Sequence, residues 1–136
     1  MFLAKCKGQS TNTNDSVVFR EANDPELDKA KHEALSNLEY FLNSFNQHSN
    51  DGQFEYSLKA DFIENGKHEH MWIDLTKYSE GKFFGTLAND PQILKRIKYR
   101  DPVEINRDQI EDWLIYDVST ENYEGGFSIK VMQNRK

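Results

Sequence analysis

The chain has 136 residues, 23 acidic against 17 basic, a formal net charge of −6 and 37% hydrophobic residues. That length suits one domain with a single core, and the acidic balance argues against general nucleic-acid binding, which needs a concentrated positive surface, and leaves it a minor option. The single cysteine, Cys6, excludes an internal disulfide, and no apolar run of about 18 residues offers a membrane span.

Residues 1–23 read as a disordered leader or tether, because the run Gly8-Gln9-Ser10-Thr11-Asn12-Thr13-Asn14 has no apolar periodicity. As written the chain is expected to be cytoplasmic. Leu3-Ala4-Lys5-Cys6 ahead of that polar run also looks like the end of a lipoprotein leader, so the alternative is an exported lipoprotein anchored at Cys6, with Lys5 as a departure from that signal.

A domain spanning 24–136 opens at Asp24-Pro25-Glu26, where Asp24 can cap free N–H groups and Pro25 suits the first helical turn. Leu27, Ala30, Ala34, Leu35, Leu38, Phe41, Leu42 and Phe45 follow at helical spacing, which predicts one long helix of about five turns. A polar loop, 46–52, ends it. Phe54, Tyr56, Leu58, Ala60 and Phe62 then alternate with polar residues, the period of a half-buried strand.

Asn65-Gly66 suits a two-residue type I′ turn. A hairpin about it fixes the register, with Glu64 facing Lys67 and so on outward. The apolar face is then Phe62, Ala60, Leu58 and Tyr56 with Glu69, Met71, Ile73 and Leu75, and the other face carries Ile63, Asp61, Lys59 and Ser57 with His68, His70, Trp72 and Asp74. Phe83 to Leu87 reads as a third strand, and Asn89-Asp90-Pro91 is predicted to cap a short helix bearing Ile93, Leu94 and Ile97. Val103 to Ile105, Trp113 to Val118 and Phe127 to Met132 have strand composition, residues 107–112 read as one helical turn, and Gly125-Gly126 as a turn or bulge. The expected fold is α+β: one long N-terminal helix on a curved, mostly antiparallel sheet of about five or six short strands, closing in part like a small open barrel.

His68 and His70 point to one face and can share a metal ion, with Asp61 and Asp74 on the same side; surface histidines beside a turn are the alternative. Glu69 is a carboxylate on the apolar face. It is an acid or base candidate if it opens into a pocket, and a structural group if it reaches water or a backbone N–H. Trp72, opposite Lys59, either joins His70 in a recognition surface or lies under a second layer of structure. Asp112 and Trp113 are candidates for the binding surface too, although their natural physical role is an anchor, with the indole buried and the carboxylate accepting backbone N–H groups. The acidic residues Glu104, Asp108, Glu111 and Asp112 would suit a basic partner. Lys82, Lys95, Arg96, Lys98 and Arg100 are read as a solvated edge. No nucleophile and base pair or phosphate loop is evident, and no cofactor is expected.

Several separated motifs together carry a resemblance: Glu69-His70-Met71-Trp72, Phe84-Gly85, Asn89 and Pro91, Asp101-Pro102-Val103, Ile110-Glu111-Asp112-Trp113 and Gly125-Gly126-Phe127. The chain resembles the YegJ-like family of bacterial domains of unknown function, over residues 24 to 132. Position by position the family pattern falls on Glu69, His70, Trp72, Gly85, Asn89, Pro91, Ile110, Asp112 and Trp113; His68 stands outside it. The resemblance implies no activity, and its members joined to repeat modules or exported imply an interaction role.

Two functions are therefore carried forward. The first is a binding or accessory module acting through protein–protein interaction, of an immunity-like kind. The second is a small, metal-assisted enzyme using Glu69 or His70 as acid or base.

Overall fold

A computed structural model describes residues 24–135. The leader, and with it Cys6 and the lipoprotein alternative, lies outside the described residues. Among the described residues no helix is long and apolar enough to cross a membrane.

The N-terminal apolar periodicity forms two helices, α1 (Pro25–Ser36) and α2 (Leu38–His48), rather than the predicted single one. The break at Asn37 has an identifiable cause. The Asn37 side-chain amide donates back to the Glu33 carbonyl at 2.9 Å, and the Trp113 indole N–H donates to the Ala34 carbonyl at 2.9 Å. Side chains thus bond to carbonyls in the last turn of α1 that the Asn37 backbone N–H also reaches, both at 3.2 Å, and such insertions are a recognised origin of kinks. The apolar stripe survives the break, with Ala30, Ala34, Leu38, Phe41, Leu42 and Phe45 all buried. Asp24 caps α1 as expected, accepting from the N–H groups of Glu26 and Leu27.

Six strands follow: β1 (Phe54–Glu64), β2 (Lys67–Ser79), β3 (Lys82–Leu87), β4 (Pro102–Asn106), β5 (Ile110–Asp117) and β6 (Tyr123–Gly125). They form one open sheet in the order β4-β3-β2-β1-β5-β6. Every neighbouring pair is antiparallel, and β4 and β6 are its two edges, so the expected partial barrel is not formed. The hairpin register is the predicted one, from Glu64 opposite Lys67 to Ser57 opposite Asp74. Asn65 and Gly66 both have positive φ, as a type I′ turn requires.

Three predicted elements differ. The helical turn predicted over 107–112 forms as a shorter 3-10 turn, Arg107–Gln109, and β5 starts earlier than predicted, at Ile110. The predicted helix bearing Ile93, Leu94 and Ile97 is absent, and the β3–β4 connection is irregular. There, five successive N–H groups are taken by carboxylates of the β1–β2 hairpin: Gln92, Ile93 and Leu94 by Glu69, Lys95 and Arg96 by Glu64. Leu94 nevertheless reaches the core, as its apolar character demands. The predicted strand from Phe127 is a helix, α3 (Phe127–Asn134). Its first residues are fixed by a carboxylate from β5, described below, which alternation along the chain does not reveal.

The main core lies between the helices and one sheet face, joining Leu38, Phe41 and Phe45 to Leu58, Ile73, Phe83, Ile105, Ile110 and Trp113. A smaller cluster of Trp72, Leu114 and Ile129 covers part of the opposite face. α3 serves both, with Phe127 packed against the main core and Ile129 in the smaller cluster.

Candidate functional site

The sheet face opposite the main core is a set of rows across β2, β1 and β5. One row holds Trp72, Lys59 and Asp112, which are successive register partners. Beyond it, towards the hairpin turn, His70 pairs with Asp61. At this point the β1–β5 register shifts: Lys59 faces Asp112 but Ala60 faces Ile110, so Glu111 is an extra residue. Such a bulge re-aims a side chain. Without it, alternation would turn Glu111 toward the helices; instead its Oε1 lies 2.7 Å from His70 Nδ1.

Three adjacent strands thus bring Asp61, His70 and Glu111 together, with one ligand-type atom of each within 4.8 Å of the others. His68 lies beside them, its Nδ1 3.0 Å from both Asp61 carboxylate oxygens. The side chains of His70 and Glu111 are largely covered, at 13% and 17% exposure, and that of His68 is open at 43%. Burial pushes the Glu111 carboxyl up, but the His70 hydrogen bond and charge, with Lys59 and Lys31 nearby, outweigh it and hold the group below its ordinary value. An imidazole and two carboxylates converging in this way can exchange a proton or coordinate a divalent cation. His68 turns its Nδ1 to Asp61, and the atoms that converge within 4.8 Å are those of His70, Asp61 and Glu111.

Glu69 lies on the opposite face of the same strand. It is 7% exposed, and its carboxylate accepts from the N–H groups of Gln92, Ile93 and Leu94 at 2.8, 2.9 and 3.0 Å. A site shared by Glu69 and His70 is ruled out by this geometry. Asp74, at the far end of the face, bonds to Ser57 at 3.4 Å and does not join the His70 group.

The other sequence candidates are interior. Trp72 is 2% exposed, under α3, and its backbone N–H donates to Asn89 Oδ1 at 2.7 Å; the second-layer alternative is the one realised. Asp112 is fully buried. It accepts from the N–H groups of Trp113, Phe127 and Ser128 and from the Ser128 hydroxyl, the last at 2.6 Å. Burial pushes its carboxyl above the usual value, against the pull of Ser128. Because Gly126, which precedes α3, is left-handed and offers no side chain, Asp112 supplies that helix with its cap from β5. The Trp113 ring packs against Phe41 and Phe127 at centroid distances of 5.5 and 5.6 Å. Glu111 is the member of the site that the sequence reading placed only in a general acidic patch; no local pattern announces a bulge that depends on the β1 register.

Residues 24–136 match the family described as an uncharacterized protein conserved in bacteria (DUF2314). The chain is also similar to the uncharacterized protein YegJ of Escherichia coli (strain K12), with 31% identity over 102 residues, covering 75% of this chain and 63% of that relative. No solved structure matches the chain. Because the match takes in all of the described core and both helical layers, the chain belongs to this family of uncharacterized bacterial proteins.

Proposed function

We propose that the domain is a binding or accessory module that acts on another protein through the sheet face carrying His70, Asp61 and Glu111. One observation supports this above others: the buried polar groups of the shared motifs, Glu69, Asn89 and Asp112, are each engaged by the protein's own backbone. They build the domain. The His70 group lies on the other face, with His70 and Glu111 largely covered and His68 open, next to Ile63, which is 62% exposed on the same face. An apolar contact next to ionisable groups is the usual composition of a recognition surface. In the immunity-like form of this reading, the acidic chain covers a basic partner, and charge complementarity speeds the encounter.

The test is site-specific photocrosslinking in the native host. A photoreactive residue at position 63 is expected to give a discrete adduct that Ile63→Asp and His70→Ala abolish, whereas the same probe at Glu33 on α1 gives none. Equal labelling from both positions, or none from either, defeats the reading.

A second reading, a small enzyme, is favoured by the 2.7 Å contact between His70 and Glu111. His70 would act as acid or base with Glu111 orienting its ring, the arrangement in which a carboxylate fixes an imidazole. In this reading His70→Ala and Glu111→Gln abolish turnover of any substrate found, while Glu69→Gln alters stability without changing the pH profile.

A further inference from the structure

We infer that Asp61, His70 and Glu111 form a binding site for a divalent transition-metal ion, independently of whether the face binds a protein. The three residues come from β1, β2 and β5, so their meeting is a product of the sheet and of the bulge at Glu111 rather than of a local run of acidic residues. Their ligand-type atoms lie within 4.8 Å of one another. Metal bonds of about 2.1 Å to nitrogen and oxygen put two ligands no more than about 4.2 Å apart, so side-chain rotations of about an ångström close the set. Two carboxylates and an imidazole suit zinc or manganese better than calcium, which takes oxygen ligands alone.

The surroundings resemble the support that metal ligands need. A ligating carboxylate is normally held by a further hydrogen bond, and His68 holds both oxygens of Asp61. Gln109 Nε2 donates to the Asp61 backbone carbonyl at 3.3 Å and ties the bulge region to the same strand. The His70 and Glu111 side chains are largely covered, so an ion there would meet few competing waters. The short His70–Glu111 contact is a hydrogen bond between two groups of ligand type. A bound ion would replace that hydrogen bond as the link between the two groups.

The test is calorimetric titration of the full chain with zinc chloride and with manganese chloride, in a Cys6→Ser background so that the lone thiol cannot contribute. One ion per chain is expected. His70→Ala and Glu111→Gln should each weaken binding by about 100-fold or more, and His68→Ala, which removes only the support of Asp61, by about 10-fold. His32→Ala, on exposed α1, should leave it unchanged. Manganese should also broaden the His70 ring resonances before those of His32, a readout that holds even if a variant is destabilised. Absence of binding, or binding that His70→Ala and Glu111→Gln leave intact, overturns the inference.

Discussion

Removing the Glu69 carboxylate should destabilise the domain strongly, although sequence alone makes it an acid or base candidate. Its two oxygens accept three successive N–H groups of the β3–β4 connection at 2.8 to 3.0 Å. A hydrogen bond to a charged group contributes about 1.5–3 kcal/mol, and a buried donor left without an acceptor costs about 1–3 kcal/mol. The Leu94 bond is buried, while the Gln92 and Ile93 bonds are part-buried and can be partly replaced by water. Counting the first charged-group bond in full and the others at about half gives about 3–6 kcal/mol for Glu69→Ala. Glu69→Gln keeps one carbonyl acceptor and should lose about half as much. Against a total stability of about 5–15 kcal/mol, the alanine variant approaches unfolding, so the glutamine variant is the one to measure.

Urea denaturation followed by tryptophan fluorescence gives the change from the midpoint at constant slope. The half-buried Glu64 accepts from Lys95 and Arg96 in the same connection through solvent-exposed bonds and is the control; Glu64→Gln should remain near wild type. Hydrogen exchange should speed up at residues 92–94 in Glu69→Gln and not in Glu64→Gln. Equal stability of the two variants would refute the reasoning, because it would mean that burial of the acceptor does not decide the cost.

Asp112→Ala removes the cap of α3 together with a buried acceptor of four bonds and should cost about 2–4 kcal/mol, against about 1 kcal/mol for Ser128→Ala; a double-mutant cycle should show coupling between them. Gly85→Ala should cost more than about 2 kcal/mol in the same denaturation assay, because its Cβ would overlap the Asp74 backbone carbonyl, whereas Gly81→Ala meets open space and carries only the strain of a left-handed residue, about 1 kcal/mol. The Arg135 hydrogen bond holds the Asp24 carboxyl below its usual value. Stability from a depressed carboxylate is present above its unfolded pKa and lost as pH falls through the folded one. The melting-temperature gap between wild type and Arg135→Gln should therefore be constant near neutrality and shrink below about pH 4; a gap that widens on acidification contradicts that assignment.

The sequence by itself determined the local layers of this domain, and the reasons are local. Alternation from Phe54 to Phe62 and the Asn65-Gly66 turn fix the hairpin register, since a slip of one residue would turn every core side chain to the other face. That register also places Glu69 and His70 on opposite faces without further information. The helical stripe from Leu27 to Phe45 is equally plain, but the break at Asn37 depends partly on Trp113, 79 residues from the Ala34 carbonyl it engages. Phe127 to Met132 alternates well enough for a strand and becomes a helix because Asp112 caps it from another strand. Residues 92–96 give their N–H groups to the hairpin rather than to a helix for a similar reason.

The candidate site divides in the same way. His70 and Asp61 share a row by the register, which is legible in the chain. Glu111 joins them only because β5 pairs with β1 and carries a bulge there. Periodicity records which face a residue takes along its own strand; which strand lies beside it, and where that pairing slips by one residue, is decided by tertiary packing alone.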